Sequence, residues 1–339
     1  MSLSGNLAYA GEPVPSARRL VLDKALALAL RHLTSHRQCS LVEIGLARLA
    51  EDTTQDPFTP FIDLPLLVTG AIRGEEQSAD CLPALTTILF LGIDLLDDLA
   101  DHDLSPDWKG YTESEINLFA LTLLSTLPSL ILSEFAVSPE KQWRLQKRLA
   151  RGLLRMSEGQ SQDLAMTGSP RVGLEEVESS LVGKSGAEAA IFAALAAEMA
   201  GANPEEIKNY EEMGCFLGVA SQLASDCYDL FQAPFSRDLK NGTRTFPIAY
   251  CLGKKGGKDR LEFLKILEQG MSDLSLHEQI RRFLHQTGAL RFSAFIVELY
   301  CQRALRSLEK ARPLEPAAHY LREVIHAISF FHQPKEVMS

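Results

Sequence analysis

Residues 82–101 read LPALTTILFLGIDLLDDLAD, and this stretch decides the fold. Leucine, isoleucine, alanine and phenylalanine recur in it at helical spacing, which predicts a helix over 82–100. Residues 91–96 are mostly apolar, so the helix is expected to be buried, yet it ends in Asp94, Asp97, Asp98 and Asp101. Asp97 and Asp101 are four apart and share one helical face, with Asp98 beside them and Asp94 extending the cluster. Like charges at that spacing destabilise a helix unless a cation neutralises them. Mg2+ takes carboxylate oxygens together with substrate phosphates, and such a face suits it. The plain alternative is a solvated acidic helix end. The apolar context argues instead for acids that project from a buried helix into a cavity.

Outward from this helix the same period continues. It runs over Val21 to Leu33, 41–50, 115–135, 140–166, 174–201 and 205–231, then over 244–253, 258–269, 274–286, 289–311 and 315–331. Breakers such as Pro57, Pro60, Pro106, Pro139, Pro204 and Gly242 separate the runs. Strand-like alternation is scarce, and nothing reads as a repeat or an interdomain linker. The prediction is an all-α fold, a single large helical bundle over 17–339 behind a loose leader of residues 1–16. Phe330 and Phe331 are expected to pack the last helix into the core.

Composition narrows the function. Of the 339 residues, 46% are hydrophobic and 23% charged, as in an ordinary globular protein with a sizeable core. A net charge of −10 and the lack of a basic patch argue against a nucleic-acid partner. The six cysteines are scattered and form no C-x-x-C pair, which suits reduced thiols. Apolar stretches near 81–96 and 187–202 are interrupted by Asp94 and Glu198 and fall short of the roughly 20 clean residues of a membrane span. No signal peptide is recognised, so a cytoplasmic location is expected.

A second acidic pair lies in GVASQLASDCYD, residues 218–229. Asp226 and Asp229 are three apart on one face of an otherwise apolar helix. Two acidic faces pointed at each other across a bundle could hold several Mg2+ ions around a diphosphate. Those ions would stabilise a departing pyrophosphate and permit ionisation of an allylic C–O bond. A surface patch is the plain alternative for this pair too. His32 and His36 lack a third ligand and read as surface residues, and the 253–258 run GKKGGK reads as a solvated turn.

These motifs, in this order, resemble the all-trans isoprenyl (polyprenyl) diphosphate synthases from about residue 41 to 331. DDLAD at 97–101 is similar to their first motif, DDxxD; Gly159, Gln160, Asp163 and Leu164 to their G-Q-x-x-D-L helix; and Lys184-Ser185 to their K-T pair. Gln222 to Asp229 resembles the second motif, F-Q-x-x-D-D-x-x-D, and Asp238 with GTRTFP at 242–247 the stretch that follows. The resemblance implies a helical bundle around a central apolar cavity that sets product length. It implies Mg2+ ions, several of them bridging the diphosphate, on Asp97, Asp101, Asp226 and Asp229, with Asp98 in support. Lys184, Lys109, Gln160 and Arg237 would hold the diphosphate, and Gln222 would line the opposite wall. The implied reaction ionises an allylic prenyl diphosphate, adds isopentenyl diphosphate and releases a longer trans-prenyl diphosphate. A homodimer is also implied. Gly92, just ahead of the first motif, is small, so a floor to the tube at that level is expected to be absent.

The sequence departs from the family where isopentenyl diphosphate is gripped. TPFIDLPLL at 59–67 keeps the proline of G-G-K-R-x-R-P and none of its cations. Trp108-Lys109-Gly110 stands for R-R-G, Ser225 for the first aspartate of the second motif, and Thr243 for a lysine. Three readings follow. In a chain-elongating synthase, Arg73, Lys109 and Arg37 would replace the lost cations. A prenyl diphosphate enzyme with another acceptor, such as a peptide, or a class I terpene cyclase would not need them. A non-catalytic subunit of a heteromeric synthase would have no reason to keep DDLAD and Lys184.

Overall fold

The structure, a computed structural model, describes residues 8–9, 12–53, 58–74 and 81–331. Two short strands, β1 (Ala8–Tyr9) and β2 (Glu12–Pro13), pair antiparallel within the expected leader, and the rest of 1–11 lies outside the described residues. The helices follow as α1 (Val14–His32), α2 (His36–Thr53), α3 (Pro60–Arg73), α4 (Cys81–Ala100), α5 (Glu113–Leu121), α6 (Leu127–Ser133), α7 (Pro139–Met166) and α8 (Leu174–Leu181). Then come α9 (Ala187–Ala200), α10 (Pro204–Phe231), α11 (Arg237–Asn241), α12 (Phe246–Lys254), α13 (Gly257–Gly270), α14 (His277–Thr287), α15 (Ala289–Lys310) and α16 (Ala317–Ile328). The all-α prediction holds.

The described residues group into two compact units whose boundaries fall inside α7, α9, α10, α15 and α16. The first takes in the described parts of Met1–Arg151, Ile191–Glu211 and Glu309–Arg322. Here α4 is the central element, with α1, α3 and α5 packed on it and Leu85, Ile88, Leu89, Leu91 and Leu95 buried. Helix α3 was not expected, because Pro57 and Pro60 read as breakers. Pro60 occupies the first turn, where its missing N–H costs nothing. Pro65 lies inside the helix and cannot donate to the Phe61 carbonyl one turn earlier. The Thr86 hydroxyl of α4 donates to that oxygen instead, at 2.6 Å. Arg18 of α1 closes the same region: its guanidinium pairs with buried Asp63 and donates to the Thr53 carbonyl. Asp63 also accepts from the Thr59 amide.

The second unit takes in Gly152–Ala190, Glu212–Leu308 and the described part of Glu323–Ser339. One core cluster joins Leu230, Ile248, Leu252, Phe263, Ile280 and Leu284. Arg244 is buried and donates to the carbonyls of Ser169 and Gly242, which ties the loop after α7 to the GTRTFP segment. Phe330 and Phe331 are exposed, so the expectation that they fill the core is corrected.

Two predicted long helices are interrupted. Thr122–Thr126 between α5 and α6, and Val182–Gly186 between α8 and α9, are π-helical turns. By length and composition Glu113–Ser133 and Leu174–Ala200 could each cross a membrane. The most apolar window of the second is 72% buried within the protein, as befits a core helix, against 44% for the first. Of the two apolar stretches weighed from the sequence, 187–202 overlaps the second of these helices, and neither overlaps Glu113–Ser133.

Candidate active site

In the first unit, DDLAD closes α4. The helix stops in a Schellman motif: the Asp103 amide donates to the Asp98 carbonyl and the His102 amide to that of Leu99, with His102 left-handed at φ 53°. Asp101 is thereby placed one turn beyond Asp97, as the spacing predicted. Asp98 and Asp94 turn to α2, where Arg48 donates to both, at 3.1 and 3.2 Å. Burial, together with Asp103 and Asp97, raises the Asp98 carboxyl above its usual range against the pull of Arg48. Trp108 is buried and Lys109 exposed in the loop that follows.

Gly92 does not open a space. A methyl group added there would lie 2.8 Å from Leu124 Cγ and 3.0 Å from Leu123 Cβ of the π-helical turn. The glycine lets that turn approach, and the expectation of a missing floor is corrected. Of the cations offered as substitutes, Arg37 pairs with Glu115 and stacks on Tyr111, while Arg73 donates to the Met199 and Ala200 carbonyls at the end of α9. Asp63, within the 59–67 stretch, is buried and clamped by Arg18 of α1.

In the second unit, close backbone approach brings α7, the turn Val182–Gly186 and α10 together. A methyl group at Gly159 of α7 would sit 2.3 Å from the Gly183 carbonyl carbon, and one at Gly218 of α10 would sit 2.2 Å from the Ser185 oxygen. The π-helical turn carrying Lys184 is therefore wedged between α7 and α10. Lys184 Nζ comes 3.6 Å from Asp163 of α7, one turn after half-buried Gln160. The Ser185 hydroxyl donates to the Gln222 amide oxygen, and the Gln222 amide nitrogen donates to Asp226 at 2.8 Å. This chain of bonds orients Gln222. Asp226 is 6% exposed, and burial, with Asp163 and Asp229 adding to it, lifts its carboxyl to about 7 against Gln222 and Lys184. Asp229 is engaged otherwise: it accepts from the Ser236 hydroxyl and from the amides of Arg237 and Asp238, fixing the start of α11. Arg237 is exposed on that first turn, and Ser225 is exposed on α10.

Sequence reasoning missed Arg48 and gave Asp163 no role. Arg48 has no local signal, since its partners lie 46 and 50 residues away. Among the described residues no group of three or more histidine, cysteine, aspartate or glutamate side chains forms a metal cage. The donor set still fits Mg2+, which binds through one or two carboxylates and completes its shell with water and phosphate. Asp226 fits in particular: a carboxyl so buried, with two acids acting on it, gains from a divalent cation.

Comparison with known proteins places these features. Geranylgeranyl pyrophosphate synthetase from Pyrococcus horikoshii superimposes with a TM-score of 0.74 over 94% of this chain and 97% of its own, at 20% identity. Decaprenyl diphosphate synthase from Rhodobacter capsulatus gives 0.76 over 92% and 96%, at 15% identity. The fold is the all-α isoprenyl diphosphate synthase fold, and the protein is a prenyltransferase. Geranylfarnesyl diphosphate synthase of Aeropyrum pernix is 24% identical over 282 residues, 77% of this chain and 86% of that protein. The chain belongs to the polyprenyl synthetase family, whose model matches residues 115–284.

Proposed function

We propose that the protein condenses an allylic prenyl diphosphate with isopentenyl diphosphate to give a longer trans-prenyl diphosphate, using Mg2+. The observation that carries this reading is the arrangement of Lys184, Asp163, Gln222 and Asp226 on three tightly packed backbones, in the family's order. Asp97, Asp101 and Asp226 are the proposed metal ligands. Bound Mg2+ would neutralise the departing pyrophosphate. Lys184 supplies a point charge to the diphosphate, and its π-helical turn sets the height of that charge. Gln160 and Arg237 lie beside that set in sequence, and Lys109 follows the first motif; all three are proposed diphosphate contacts. The Ser185–Gln222–Asp226 bonds hold the Asp226 carboxylate still as charge develops. Six free cysteines accord with a cytoplasmic setting.

Transfer to a different acceptor is favoured by one observation, the buried Arg18–Asp63 pair at the position of the family's cations. Product mass spectrometry with geranyl, farnesyl or geranylgeranyl diphosphate, each with and without isopentenyl diphosphate, separates the two. Elongated diphosphate that disappears in Asp97→Asn supports elongation, with a loss of about a hundredfold or more expected. Pyrophosphate release that needs no isopentenyl diphosphate supports the other acceptor. A family-like homodimer is part of the proposal, through the exposed face of α5 and α6.

A further inference from the structure

Helix α11 is five residues long, and Leu239 is its one buried residue. So short a helix is not stable on its own, and its place is set by what holds its ends. At the far end Gly242 is left-handed at φ 72°, and Met271, just after α13, lies against it, with Cε 3.0 Å from where a methyl group on Gly242 would sit. At the near end Asp229 accepts from the Ser236 hydroxyl and from the amides of Arg237 and Asp238. A second group holds this end: His277, the first residue of α14, buried and 41 residues beyond Ser236. Its Nδ1 accepts from the Ser236 amide at 3.4 Å, and its Nε2 lies 2.9 Å from the Gly270 carbonyl oxygen. An amide N–H only donates and a carbonyl only accepts, so the neutral ring with its proton on Nε2 serves both. Ser236 is itself fully buried, and its hydroxyl also accepts from the Leu239 amide at 3.1 Å. Neither ring nitrogen bonds to a residue proposed to bind metal or diphosphate.

We propose that His277 is a positioning residue for diphosphate binding: through the Ser236 amide it fixes the first turn of α11, and with it the exposed Arg237 that meets the diphosphate. The inference rests on the reading of Arg237 as a diphosphate contact and names what holds that contact in place. Without the Nδ1 acceptor the Ser236 amide is buried and loses this partner. The turn then shifts to find another, and Arg237 moves with it.

Two substitutions of similar size separate the two halves of the ring. Glutamine puts its amide group near Nε2, which keeps a donor for Gly270 and leaves no acceptor for Ser236. Asparagine puts an oxygen near Nδ1, which keeps that acceptor and does not reach Gly270. Inorganic pyrophosphate, titrated by calorimetry at saturating Mg2+, probes the site whatever the chain length or acceptor. His277→Gln is expected to raise the pyrophosphate Kd about tenfold, and His277→Asn to leave it near the wild-type value. Arg237→Met should also weaken binding about tenfold. Adding His277→Gln to Arg237→Met should weaken it no further, because the two act in series. A wild-type Kd in folded His277→Gln overturns the proposal. So does an equal loss in His277→Asn, or full additivity with Arg237→Met, either of which makes His277 a purely structural residue. If His277→Gln does not fold, nitrogen NMR of histidine-labelled wild type decides: a proton on Nε2 is expected, and one on Nδ1 overturns the proposal. Arg237→Met with the wild-type Kd defeats the diphosphate contact, and the proposal falls with it. A wild type that binds no pyrophosphate defeats the prenyl diphosphate reading itself.

Discussion

Asp226 shows how one buried carboxyl couples the proposed site to stability. In the unfolded chain it titrates near 3.8, and in the folded protein near 7. Between those limits the unfolded state releases its proton while the folded state keeps it. The stabilisation from this group is therefore complete below about pH 4 and lost as pH rises through about 7. Metal-free protein should lose stability over that window, by at most about 1.4 kcal/mol per pH unit from this group. Asp226→Asn should flatten that part of the curve. Added Mg2+ should raise the wild-type melting temperature more at alkaline than at acid pH, with a much smaller effect in Asp226→Asn. Calorimetric melts across pH, with and without Mg2+, check both; an equal Mg2+ response in the variant would remove Asp226 from the ligand set. Motif spacing singles out these residues as candidates and says nothing of their engagements. Asp229 has the right position in the motif, but Ser236 and two amides of α11 take its oxygens, a contact fixed by the loop between them.

At the scale of elements, the helical period located most helices and failed where tertiary contacts override local preference. Helix α3 survives two prolines because a threonine on another helix replaces the lost backbone donor. Thr86→Val, nearly the same shape, leaves the Phe61 carbonyl without that partner and should cost about 1–3 kcal/mol in urea unfolding. Thr86→Ser should recover most of it. The π-helical turns were equally hidden, since each is a single turn inside a stretch that reads as one continuous helix. Their reason lies in packing. Gly218→Ala places a methyl group 2.2 Å from the Ser185 oxygen, beside Lys184. Overpacking there should cost about 2 kcal/mol or more and lower kcat together with stability. Gly253 of α12 is the matched control, with nothing within 4 Å of an added methyl group. Gly253→Ala should stabilise by about 0.5–1 kcal/mol through helix propensity alone. If the two substitutions behave alike, close approach is not what Gly218 provides.

For the whole molecule, the unit containing α5 and α6 leaves an apolar face uncovered. Leu118, Leu121 and Leu130 are 60%, 54% and 43% exposed, and Ser125 and Ser129 lie exposed along the same stretch. Large side chains alternating with small ones suit close contact with another helix, and an apolar patch of this kind commonly marks an interface. A second copy of the chain is the proposed occupant, since a two-fold axis lets one self-complementary face cover both copies. Sedimentation should give twice the chain mass for the wild type. Leu118→Glu with Leu121→Glu should sediment as a monomer, because four carboxylates would then face one another across the axis without partners. Its helical circular dichroism should persist, as these side chains contribute little to the core of their own unit. A wild-type monomer that binds phospholipid vesicles, with binding lost in the double variant, would assign the face to a membrane surface instead. The apolarity of Glu113–Ser133 would then reflect lipid contact rather than helix pairing.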